Sequence, residues 1–238
     1  MNKSAFLILV FSVFCIASTT AISFNAGEKG GVPGISQPDS LLNAQILYNG
    51  RIWRNLNYLV IGDPYFLSNA FLTGSLTISG KTFSPLRLKY NLFEDEIHIP
   101  TPSGEILQLN KEMADSFSLS FESKIYRFAA IPEDSVEGLK GYVQVLYRGK
   151  IDLYVKFTKK IKRSDFENRP DKYYQINRIF CVQNKRAYLI SGKSDVFNLS
   201  KEKKSRVKDY MRKNKLHVSK KNPESFIPVI RYLDTINL

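Results

Sequence analysis

Four residues in the stretch FEDEIHI carry side chains that can do chemistry: Glu94, Asp95, Glu96 and His98. Carboxylates beside an imidazole can bind a metal or exchange protons. On a strand, Glu96 and His98 share a face, as two ligands of one ion must. Three considerations weigh against a site. The cluster falls at a hairpin turn, where acidic residues are common because water solvates them. The chain has two histidines, His98 and His217, so carboxylates would have to complete a zinc sphere. Ile97 and Ile99 flank His98, and strand alternation sends them to the opposite face, which predicts a solvent-facing His98. The expectation is no catalytic residue, no cofactor and no metal.

Other chemistry finds less support. The chain lacks a G-x-S-x-G elbow, a P-loop and a dinucleotide fingerprint. Asp63 in IGDPYF reads as turn chemistry. Tyr65, Phe66 and Phe71 read as packing beneath a curled sheet. Cys181 lies in the apolar string RIFCV and reads as a small buried residue, because a reactive thiol wants exposure and a basic neighbour. The chain is therefore expected not to be an enzyme.

Charge is the stronger signal. The 238 residues carry a formal net charge of +13, and ten of the 22 residues from Ser200 to Lys221 are Lys or Arg, against two acidic ones. Cations near a helix C-terminus are favoured by its dipole, which accounts for Arg212, Lys213 and Lys215. Lys201, Lys203 and Lys204 lie near the other end, where cations are disfavoured. Glu202–Arg206 and Asp209–Lys213 are the local pairs that spacing allows. The remaining excess nominates Lys201, Lys204, Lys208 and Arg212 as a face for an acidic protein or an anionic surface, against the plainer reading of a solvated helix. Nucleic acid is not expected. The chain shows no Cys and His finger spacing and no Gly-aromatic RNA motif, and its N-terminus reads as an export signal.

That signal begins with Lys3, continues through an apolar run from Ala5 to Ile16, and ends on small residues at Thr19 and Ala21. A signal peptide is expected over 1–21. Lipidation at Cys15 is disfavoured by the bulky Phe14 before it. Residues 22–38 hold NAGEKGGVPGISQP and read as a flexible linker. The protein is expected to be exported, to the periplasm or the outer membrane. Cys181 would be left without a disulfide partner, so the fold must rest on its own core.

Residues 39–192 must position whatever site exists, and they read as an antiparallel β domain. RIWRNLNYLVIG has strand composition. In GSLTISGKTFSPLRLKY, Leu86, Leu88 and Tyr90 share one face opposite Arg87 and Lys89. Pro85 places an edge or a bulge there. KGYVQVLYRGKIDLYVKF is a hairpin, and YYQINRIFCV with AYLI is another. Helical spacing takes over after Gly192 from Val196 to Asn214, and Asn222-Pro223-Glu224 reads as the capped start of a last helix. Residues 193–238 are thus a helical segment packed on the sheet.

GSLTISGKTFSPLRLKYNLFEDEI, LQLNKEMADSFSL and RVKDYMRKNKLHVSKKNPESFIPVIRYLD resemble a family of exported Bacteroidota proteins of uncharacterised function. The likeness runs from about Tyr48 onward. It implies an envelope location and a mostly antiparallel β-fold with C-terminal helices; it implies no reaction and no functional residues. The fold expected is mainly β, of α+β class: an antiparallel meander forming a curled open sheet or half-barrel, with two C-terminal helices. The function expected is non-enzymatic binding of an acidic partner or anionic surface. The alternative is a half-barrel carrier of a lipid or other apolar ligand.

Overall fold

The computed structural model describes residues 45–166, 169–200 and 203–236. The expected signal peptide and linker, Cys15 and the candidate Lys201 lie outside the described residues.

Alternating apolar positions and short polar turns give eleven strands: β1 (Gly50–Ile52), β2 (Leu72–Ile78), β3 (Lys81–Asn91), β4 (Glu96–Pro100), β5 (Ile106–Leu109), β6 (Ala114–Phe121), β7 (Lys124–Ile131), β8 (Gly141–Tyr147), β9 (Asp152–Lys162), β10 (Lys172–Gln183) and β11 (Arg186–Ile190). They form one open sheet in the order β1-β5-β4-β3-β2-β6-β7-β8-β9-β10-β11. Every neighbouring pair is antiparallel. The order is two meanders run outward from β2, one through β5 and one through β11, with β1 returning to the far edge. The expected class is therefore observed.

β3 changes partner along its length. Its first part, to Leu88, pairs with β2, and Lys89–Asn91 pair with β4. Within the part paired to β2 the register slips, with Gly74 opposite Leu86 and Leu76 opposite Phe83. Ser84 and Pro85 stand opposite the single Ser75, so the proline sits in a bulge where no ladder donor is needed.

The run RIWRNLNYLVIG departs from expectation. Its strand ends at Ile52, and the chain continues as a loop that includes residues 54–66 and folds back over the sheet. Phe66 N donates to Tyr90 O at 2.9 Å and Leu92 N to Pro64 O at 2.8 Å, tying this loop to the end of β3. Composition misled because β-branched and aromatic residues fit any half-buried surface. Leu56 is 84 % exposed, and Tyr58 and Leu59 also face outward.

One face of the sheet is covered by α1 (Lys193–Leu199), α2 (Lys204–Lys213) and α3 (Ile227–Ile236). The single helical stripe expected from Val196 to Asn214 is split between α1 and α2. Val196, Val207, Met211, Phe226, Val229, Ile230 and Leu233 join Leu76, Leu88, Phe117, Leu153, Val155 and Ile179 in the main core. Each fully buried aliphatic or aromatic side chain of this kind contributes about 1.5–3 kcal/mol. Tyr210 and Tyr232 stack at 3.9 Å between α2 and α3. Asp234 anchors α3 to the β8–β9 turn, accepting from Ile151 N at 2.7 Å, Lys150 N at 3.0 Å and the Tyr147 hydroxyl at 3.1 Å. A 3-10 turn over Pro223–Phe226 leads into α3, but the Asn222 side chain makes no cap bond, contrary to the capping reading. Cys181 is fully buried as expected, and burial pushes its thiol up to about 12.

Candidate functional site

Register places a row of polar side chains across β1, β5, β4 and β3. Arg51 stands opposite Gln108, Gln108 opposite His98, and His98 opposite Lys89. Glu96 lies two residues before His98 and so shares its face. The neighbouring positions Leu88, Tyr90, Ile97, Ile99, Leu107 and Leu109 are buried on the other face, in the main core. On an exposed sheet this row would be solvated. Here Trp53, Tyr65 and Phe71 close over it.

His98 is consequently 0 % exposed, which overturns its expected solvent-facing position. Alternation was read correctly, but the second face of β4 is not free, because the loop that includes residues 54–66 covers it. The imidazole meets Trp53 at 5.0 Å and Tyr65 at 5.6 Å between ring centroids. Its Nδ1 lies 3.2 Å from the Tyr65 hydroxyl, while its Nε2 is buried without a hydrogen-bond partner among the described residues. Burial, helped by the Lys89 ammonium, pulls the His98 pKa down to about 4, so the ring is neutral at neutral pH. Burial, reinforced by Glu94 and Asp63, holds the Tyr65 phenol above its ordinary value and therefore protonated.

The carboxylates close the site from the β3–β4 turn. Glu94 Oε2 accepts from Asn91 Nδ2 at 2.6 Å and Trp53 Nε1 at 3.0 Å. Glu96 is bonded by Gln108, which in turn accepts from Arg51 Nε at 3.0 Å. The second oxygen of Glu96, Oε2, is buried without a partner. Burial and then the nearby Glu94 raise the Glu96 pKa, against the opposing pull of Arg51. One donor atom from each of Glu94, Glu96 and His98 lies within 4.8 Å of the other two. Lys89 is 8 % exposed, with its ammonium 4.5 Å from the Phe71 ring centre, 4.6 Å from that of Tyr65 and 3.3 Å from Asn69 Oδ1. Burial lowers its pKa.

Two neighbours of this cluster have structural roles. Asp95 points into the protein from the same turn and pairs with Lys156 at 2.8 Å and Lys111 at 2.9 Å. Asp63 accepts from Tyr65 N at 2.7 Å, the turn bond expected of it, and pairs with Lys159 at 3.3 Å.

The basic candidates are brought together only in part. Lys204, Lys208 and Arg212 are exposed on α2. Lys208 and Arg212 line a cleft of about 420 Å³ together with Lys193, Lys215 and His217, floored by Phe197, Met211 and Leu216. Among the described residues, no acidic one lines it. Lys208 Nζ sits 5.6 Å from the Phe197 ring centre. Arg212 is paired with Asp209 at 2.9 Å, where spacing had suggested Lys213 as that partner. Lys203, counted as uncompensated in the sequence, donates to the Ile236 carbonyl at the end of α3. Lys215 follows from the spacing of Lys208 and Arg212. Lys193 and His217 come from other elements, so no periodicity along α2 reveals them.

No family model, curated protein or solved structure matches this chain.

Proposed function

We propose that the protein is a non-enzymatic, exported envelope component that docks on an acidic partner or anionic surface through the α1–α2 cleft. The observation that carries this reading is the lining of that cleft: four cations and a histidine around an apolar floor, with no carboxylate among them. Such a site favours a phosphate or carboxylate carried on an apolar body. The carrier alternative needs a cavity on the helix side of the sheet. Val196, Val207, Phe226, Val229, Ile230 and Leu233 fill that side, which favours a binding module.

Each cation near an anionic membrane is worth about 1 kcal/mol. Replacing Lys193, Lys208, Arg212 and Lys215 with Gln is expected to weaken binding by up to about 1,000-fold, four such contributions together. Sedimentation with phosphatidylglycerol vesicles and retention on immobilised polyglutamate, both at physiological salt, measure this. All four side chains face solvent, so the thermal midpoint should stay where it is. Equal retention of the variant and the parent on both probes sinks the reading. Raising the salt should release the parent, because exposed charges are screened beyond about 8 Å at physiological ionic strength.

A further inference from the structure

We infer that Glu94, Glu96 and His98 form a binding site for a first-row divalent transition metal, with Zn²⁺ the best match. Two buried atoms, His98 Nε2 and Glu96 Oε2, have no hydrogen-bond partner among the described residues. Buried polar atoms are ordinarily satisfied, and each one left alone costs about 1–3 kcal/mol. Here the two belong to residues that share a strand face, beside a third carboxylate. All three residues have a donor atom within 4.8 Å of the others. Donors around a tetrahedral zinc stand about 3.4 Å apart. Drawing the three donors in to that spacing takes a side-chain adjustment within the cluster.

The surrounding bonds are those that orient ligands. With the proton on Nδ1, His98 donates to the Tyr65 oxygen across 3.2 Å and presents the Nε2 lone pair to the metal. Trp53 and Asn91 hold Glu94 by Oε2 alone, leaving Oε1 for coordination. Gln108 steadies Glu96. One imidazole with two carboxylates suits zinc and its neighbours better than Ca²⁺ or Mg²⁺, which take all-oxygen shells. Lys89, Arg51 and Lys111 are the cations nearby, and Lys111 is paired with Asp95. Lys89 is directed onto the Tyr65 and Phe71 rings, and Arg51 is bonded to Gln108. Glu96 also lines a cleft of about 380 Å³ with Asn49, Arg51, Gln108 and Lys111, so the Glu96 side chain borders open space there. This site is independent of the basic cleft.

The test is isothermal titration of Zn²⁺ into the untagged, chelator-treated full chain, with Co²⁺ absorption as a reporter of geometry. One equivalent is expected to bind, and the cobalt form should show visible bands of low coordination number. Glu96→Gln and Glu94→Gln should each weaken binding by at least about tenfold, and His98→Gln should abolish it. The two carboxylate variants keep the test open if His98→Gln fails to fold. His217→Ala should bind like the parent. Absence of stoichiometric binding in the parent overturns the site, as does parental affinity in both carboxylate variants.

Discussion

Replacing Asp95 with alanine should destabilise the fold by about 3–5 kcal/mol, the cost of removing one partner of a buried ion pair. Asp95 receives the Tyr90 hydroxyl at 2.6 Å, Lys156 at 2.8 Å and Lys111 at 2.9 Å. Lys156 also reaches the Tyr142 carbonyl at 3.0 Å, so its ammonium cannot swing to water without breaking a second bond. Burial works to raise the Asp95 pKa, and Lys156, with the bonds from Tyr90 and Lys111, more than offsets it. The folded carboxyl therefore sits below its unfolded value of about 3.9. Its contribution is complete above that pH and is lost as pH falls through the lower folded value. Urea unfolding of the parent and Asp95→Ala at pH 7 and pH 3 checks both parts: a large gap at pH 7 that narrows in acid. A gap below about 1 kcal/mol at pH 7 would show that the pair is not energetically coupled to the fold. The chain conformation is adapted to this aspartate. Gly141 has φ +74°, and a Cβ there would lie 1.9 Å from Asp95 Oδ2.

Phe66→Ala should cost a similar amount, about 3–5 kcal/mol, as expected for emptying an aromatic site in a close-packed core. Phe66 is buried and meets Phe157 at 4.8 Å, Tyr126 at 5.2 Å, Phe128 at 5.3 Å and Tyr90 at 6.4 Å between ring centroids. It is also the residue after Tyr65, so the same side chain that fills the core pins the loop that covers His98. Thermal or urea unfolding measures the loss, with Phe93→Ala on the partly exposed turn as a control near the parent. Hydrogen exchange adds a sharper readout. Amides of residues 60–66 should exchange faster in Phe66→Ala than in any equally destabilised variant from α3. Equal exchange in the two variants would mean the loop is held by its backbone bonds to β3 alone.

Local pattern revealed most of the sheet, because hairpins are specified by neighbours in sequence: alternation in β8 and β9, the turn residues between them, and the proline that marks the bulge in β3. The candidate site was legible only as composition. FEDEIHI displayed its carboxylates and imidazole, but nothing within that heptapeptide tells whether its second face is wet. That depends on Trp53, from a run whose composition resembles a strand, and on Tyr65 and Phe71, from the stretch after it that reads as packing beneath the sheet. The same limit applied to charge. Counting lysines along α2 predicted an excess, but Lys203 reaches the end of α3, and Lys193 and His217 complete the cleft from other elements. Each is a contact across the fold that no spacing rule contains.

An open sheet has two unpaired borders, and both are short here. β1 offers three residues, and β11 five. The β11 border is shortened further from within the chain, because Glu137 forms a parallel bridge to Arg186 and accepts from Ala187 N at 2.9 Å. Natural strands average five or six residues, and backbone pairing between chains needs a template of that order. Among the described residues these edge strands leave little ladder to extend, and the longer open stretch lies inside the border, at residues 174–178 of β10, which run past the end of β11. Arg178 in that stretch places a charge where an incoming strand would have to pair.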